Sequence, residues 1–195
     1  MNTVTRRAGA AVLVLAALVL GRAVSTALSI EDRIGEPFVH AGEVGAEIDL
    51  RYARVTVGEP AGSTVADASG SLLATSGVWV LIPVTAVAEG EPRRLAYATV
   101  VGSDGRTYAA NGMRSQLALG KATPGIPHYG AVLVELPADA AVGAHLQIAL
   151  DFWDQRADDM AEIDLGITAA NVETWQATDD PVRVPSPSET PPETS

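Results

Sequence analysis

The chain contains no cysteine. That excludes a disulfide scaffold, a thiol nucleophile, a cysteine-ligated zinc or iron–sulfur site, and a lipid-modified cysteine anchor. Aromatic residues are also scarce, 5% of 195 residues: three Trp, four Tyr and two Phe. Glycoside cleavage needs paired carboxylates around a sugar cleft, and few aromatic side chains are left to floor one. Lysine occurs once, at Lys121, and no Gly-x-x-x-x-Gly-Lys run is present to cradle a phosphate. No Gly-x-Ser-x-Gly elbow occurs, and the three His (His40, His128, His145) stand alone in the sequence, so no nucleophile and base are paired by motif. No catalytic residues, no cofactor and no enzymatic activity are expected.

Positive charge is in short supply too. The formal net charge is −11, and an acidic surface is repelled by polyphosphate, so a nucleic-acid partner is not expected. The imbalance is uneven. No acid precedes Glu31, while Arg6, Arg7 and Arg22 do; the rest of the chain sets ten of the 13 basic residues against all 24 acids, a formal −14.

What the first 30 residues do have is apolar length. Ala8 to Leu20 reads AGAAVLVLAALVL, 13 uncharged residues behind Arg6-Arg7, the pattern of a secretory signal. Alone it would rise only about 20 Å as a helix, short of a hydrocarbon core of about 30 Å. The apolar character resumes after Arg22 as AVSTALSI, and counted to Ile30 the segment is long enough to span. Arg22 then snorkels toward the outer head groups. The reading is an uncleaved signal anchor, one transmembrane helix over residues 1–30. The alternative is cleavage near Ser25-Thr26-Ala27 and secretion. In both, Arg6 and Arg7 hold the N-terminus in the cytoplasm, and everything after residue 30 faces outward.

After a connector (31–43), the body alternates with a period of two. Ile48, Leu50 and Tyr52 interleave with Glu47, Asp49 and Arg51, and then the parity changes at Val55 and Val57; a bulge near Ala53 or Arg54 is expected. Gly58 to Gly70 reads as loop. Gly77 to Ala88 (GVWVLIPVTAVA) is the most apolar stretch of the body and reads as a central strand. Pro83 cannot donate to a ladder, so a bulge or a switch of partner is expected there. Further strands are expected at Leu95 to Val101, at Arg106 to Ala109 beyond a Ser103-Asp104-Gly105 hairpin turn, at Ala131 to Leu136, at His145 to Trp153 and at Glu162 to Ile167. The tail from Asp179 is rich in Pro, Ser, Thr and Glu and is expected to be disordered. About seven strands and no convincing helix after residue 30 give an all-β expectation: an Ig-like antiparallel β-sandwich over 44–175, with a disordered tail over 176–195.

The order of several motifs resembles a family of uncharacterised Ig-like domains that lie outside the membrane in Gram-positive and actinobacterial cells. The resemblance rests on a Gly-led first strand (Gly45 to Val57), the Gly77-Val78-Trp79-Val80-Leu81 strand, the Asp104-Gly105-Arg106-Thr107-Tyr108 turn, and Pro124-Gly125 leading into Val132-Leu133-Val134-Glu135-Leu136-Pro137. It covers residues 43–168 and departs at Ala86 to Glu89, where most relatives have Asn. It implies a fold, an N-terminal anchor and an outward location, and no catalytic set.

Two groups of residues stand out as candidates. Asp151, Asp154, Asp158, Asp159, Glu162 and Asp164 fall within fourteen residues. They read as solvated loop acids; a weak Ca²⁺ site on Asp151, Asp154, Asp158, Asp159 and Glu162 is the alternative, since oxygen ligands on a loop suit that ion. No Gly lies within Asp151–Glu162 to support the sharp turn of a calcium loop. Trp79 and Leu81 point away from the Val78, Val80 and Ile82 face. Either a loop or the connector covers them, or they meet a partner. The functional expectation is a membrane-anchored, outward-facing binding domain, an accessory subunit of a cell-envelope complex with a protein partner. The alternative is a secreted β-sandwich that binds a ligand such as a cell-wall glycan.

Overall fold

A computed structural model of the chain describes Arg22 and residues 35–192, except 69, 111–114 and 157. The expected membrane helix over residues 1–30 therefore lies outside the described residues, Arg22 apart. Among the described residues no helix is long and apolar enough to cross a membrane.

The chain divides into two units, Met1–Glu36 and Pro37–Ser195. In the second, the period-two segments pair into two sheets. One has the order β1 (Phe38–Glu43), β11 (Asp159–Asp164), β10 (His145–Ala149), β6 (Tyr97–Val101) and β7 (Thr107–Ala109). The other is built on the long β5 (Ser71–Ala88). On one side β5 pairs with β9 (His128–Leu136), which also carries β8 (Gln116–Ala118). On its other side it pairs first with β4 (Ala61–Ala68) and then with β3 (Ala53–Val57), which pairs with β2 (Glu47–Leu50). The two-residue β12 (Val182–Arg183) completes that sheet alongside β4. Pairing is antiparallel except for β1 with β11 and β12 with β4.

The alternation explains the layers. Ile48, Leu50, Val55 and Val57 from one sheet and Val100, Leu146, Ile148 and Ile163 from the other are buried in a single core. Fully burying one such side chain stabilises by about 1.5–3 kcal/mol.

Pro83 sits where β5 changes neighbour from β4 to β3: Leu81 opposes Ala61, and Val84 opposes Val57. The Gly58 N–H donates to the Pro83 carbonyl at 2.9 Å. The N and O of one strand residue point to the same edge, so the missing N–H faces the break between β3 and β4, where no ladder acceptor waits. The Asp104-Gly105 hairpin also forms, with Gly105 at φ 74° and Gly102 donating to the Arg106 carbonyl.

Several expectations are corrected. The parity change after Leu50 is a two-residue turn, not a bulge: Leu50 opposes Ala53, and Arg51-Tyr52 reverse the chain. Gly58 to Gly70 is largely strand β4. Its small residues leave room for a helix, α2 (Ala169–Gln176), and a Cβ on Gly62 would lie 2.3 Å from the Trp175 ring. With the short α1 (Ala138–Ala141), α2 overturns the expectation of no helix beyond residue 30. Thr168 starts α2 as a reciprocal cap with Asn171. The strand expected at 145–153 ends at Ala149, so Phe152 lies in a loop rather than in the core. Part of the connector is β1, held by β11.

Through residue 192, the tail expected to be disordered is packed. Val182 and Arg183 pair with Ala66 and Asp67, and Ser188 exchanges both backbone hydrogen bonds with Tyr129 at 2.7 and 3.0 Å. Val182 and Val184 pack on a second small core of Ala66, Trp79 and Leu133. Local composition is set against ordering here, but a ready-made sheet edge and an apolar outer face supply the missing contacts.

Candidate binding surface

One end of the sandwich gathers the loops 50–53, 89–96, 122–126 and 150–158, and β1 begins there. Tyr52 ties them together. Its side chain is buried. Its hydroxyl donates to the Asp159 carbonyl at 2.6 Å and accepts from the Leu150 N–H at 3.1 Å, closing both roots of the 150–158 loop. Its own carbonyl accepts from the Glu89 N–H. Burial, and then the negative charge of Asp158, raise the Tyr52 pKa well above its ordinary value. Arg51 beside it donates to Asp158 at 2.6 Å, and its backbone N–H donates to Asp159. The side-chain hydrogen bond to Asp158, and then the charge of that carboxylate, raise the Arg51 pKa.

Inside the loop, Asp151 accepts from the Trp153 N–H at 2.7 Å, while Gln155 donates to the carbonyls of Asp151 and Phe152. Arg156 grips Asp154 through two side-chain contacts of 2.8 Å. This bond first, and the Arg156 backbone N–H second, lower the Asp154 carboxyl to about 2. These bonds hold up an aromatic pair. Trp153 is 87% exposed and meets Phe152 edge to face at 4.7 Å.

Phe38 and Val39 are exposed at the same end, with the Phe38 N–H on the Asp158 carbonyl at 2.8 Å. Ile126 is exposed in the 122–126 turn, which is bridged to Ala88 through Pro124. Of the five large hydrophobic side chains that are exposed among the described residues, four lie here. The fifth, Leu72, is at the opposite end in the β4–β5 hairpin.

The acids singled out in the sequence do not converge. Asp158 faces Arg51, and Asp159 faces the Arg51 backbone and His40 at 3.4 Å. Glu162 accepts from Gln147 at 2.7 Å, and Asp164 accepts from the Gly166 N–H. Among the described residues no group of three or more His, Asp or Glu is placed to hold a metal ion. Trp79 is fully buried and Leu81 partly so. Within the chain their cover is the C-terminal segment at Val182 and Val184 rather than the connector. Of the three His, His40 lies by Asp159, His128 by Glu189 of the tail, and His145 on β10.

The sequence reading passed over Tyr52 and Trp153. Trp153 had a signal, since alternation from Leu146 points it outward. Tyr52 had none, because its partners lie about a hundred residues away.

No family model and no curated protein matches the chain. Two solved structures are similar to it. One is the yjhA protein from Bacillus subtilis, at 12% identity and a TM-score of 0.46, covering 63% of this chain and 99% of that one. The other is an uncharacterized β-sandwich protein from Clostridium difficile 630, at 12% identity and a TM-score of 0.42, covering 65% of this chain and 95% of that one. By its own strand pairing this chain is a two-sheet, mostly β protein.

Proposed function

We propose that the chain is a membrane-anchored, outward-facing interaction domain that works by binding and serves as an accessory subunit of a cell-envelope complex. In this reading the sandwich is Ig-like and akin to the extracytoplasmic domains whose motifs it resembles. One observation carries the proposal: the one-ended display of Trp153, Phe38, Val39 and Ile126 on a loop frame clamped by Tyr52. Exposed large apolar side chains gathered at one place mark a contact surface, and Trp is favoured as an anchor there. A tightly braced loop loses little freedom on binding.

Carbonate washing of native membranes followed by crosslinking and mass spectrometry tests this. The proposal expects retention of the full-length chain and crosslinks to other envelope components. Release of a shortened chain into the wash would contradict it.

The open ring of Trp153 supports a second reading, in which a secreted form stacks the indole on a sugar of a cell-wall glycan. A pulldown on cell-wall glycan that is lost in Trp153→Ala would favour it.

A further inference from the structure

We propose that the aromatic end of the sandwich rests in the head-group layer of the bilayer's outer leaflet, with Trp153 as its main anchor. The inference rests on the anchored reading above and names what occupies that surface.

The first argument is geometric. The body begins at this end, where Phe38 opens β1. Seven residues, 31–37, join it to Ile30 at the end of the apolar segment. Fully extended they reach at most about 25 Å. The 18 residues of β5 run for about 60 Å at ~3.3 Å per residue. That reach bounds the distance of the entering end from Ile30, and no such bound applies to the Leu72 end.

The second argument is chemical. The large apolar side chains exposed at this end are Trp, Phe, Val and Ile. Trp belongs at the head-group level, with an apolar body and an N–H left for water or a phosphate ester. Scarcity sharpens the point. The chain has two Phe and three Trp. Both Phe lie at this end, and so does Trp153, whereas Trp79 and Trp175 are buried.

The third argument is electrostatic. The body is strongly acidic, yet four of its basic residues (Arg51, Arg93, Arg94 and Arg156) stand in these loops. Arg51, Arg93 and Arg156 each pair with a neighbouring carboxylate. Local compensation reduces the repulsion that an uncovered acidic end would meet at lipid phosphates.

The test uses the full-length chain reconstituted into phosphatidylcholine vesicles whose acyl chains are brominated near the carbonyl. Residues 1–30 contain no Trp, so the anchor contributes no emission. Wild type is expected to float with the vesicles and to lose emission to the brominated lipid. Trp153→Phe is expected to float equally and to lose most of that quenching, leaving the emission of Trp79 and Trp175. Equal quenching in wild type and Trp153→Phe, with both floating, overturns the inference and leaves the anchored reading standing. Trp153 shielded from acrylamide but not quenched by brominated lipid means that protein covers it, and also overturns the inference. A chain that does not float overturns both.

Discussion

A single hydroxyl, that of Tyr52, bonds to both roots of the 150–158 loop, at Leu150 and at Asp159. Tyr52→Phe keeps the ring and removes those bonds, leaving a backbone N–H and a carbonyl without that partner. The expected cost is about 1–3 kcal/mol, read from urea unfolding at neutral pH. The same group sets an alkaline limit. The unfolded phenol ionises near 10.0, and the native one does so at higher pH because of burial and the nearby Asp158 charge. Above that value the native state holds the extra proton, so stability is complete below pH 10 and falls as pH rises beyond it. Tyr52→Phe is expected to flatten that fall. Asp154 behaves in the opposite sense. Its carboxyl is lowered to about 2 by Arg156, so its contribution is present above the ordinary value of 3.8 and is lost as pH falls toward 2. A carbon-13 NMR titration should place its midpoint near 2, and Arg156→Gln should move that midpoint up toward 3.8. Little of this was legible in advance. Arg51 and Tyr52 carry no turn signature, and the turn is held by Asp158 and Asp159 across the molecule.

At the scale of elements, legibility followed periodicity. β10 declares itself because Leu146 and Ile148 alternate with polar neighbours, and β5 because its Val and Ile run is bounded by turns. Pro83 could be read as a change of partner because a missing donor has a definite geometric consequence. β4 stayed hidden. Its Ala, Gly, Ser and Thr look like loop until α2 is laid over them, and α2 itself is eight residues long with only Val172 and Trp175 buried. The close approach can be tested. Gly62→Ala pushes a methyl into the Trp175 ring and is expected to cost about 1–3 kcal/mol as overpacking; an unchanged urea midpoint would mean that the helix is free to shift. The tail was misread because composition reports what a segment can do alone, and this one docks on β4 and β9. Deleting residues 179–195 should uncover Trp79 and Leu81. For on the order of 100 Å² of apolar surface the loss is about 2.5 kcal/mol, with a red shift of tryptophan emission. A truncated chain with unchanged emission and midpoint would show that the tail covers nothing.

At the scale of the molecule, the two-layer β architecture was visible from strand spacing alone. The polarity of its ends was not. Phe38, Ile126 and Trp153 come from three separate stretches of sequence, and only the fold brings them to one end. The account as a whole depends on that body standing outside the membrane. The absence of cysteine makes a direct measurement available. Leu72→Cys places one thiol in the β4–β5 hairpin, at a side chain 67% exposed and at the end opposite the aromatic loops. Intact cells expressing this full-length variant are treated with a membrane-impermeant maleimide. The account predicts labelling without permeabilisation, on a chain of full length that stays with carbonate-washed membranes. A thiol that reacts only after the membrane is breached would contradict it.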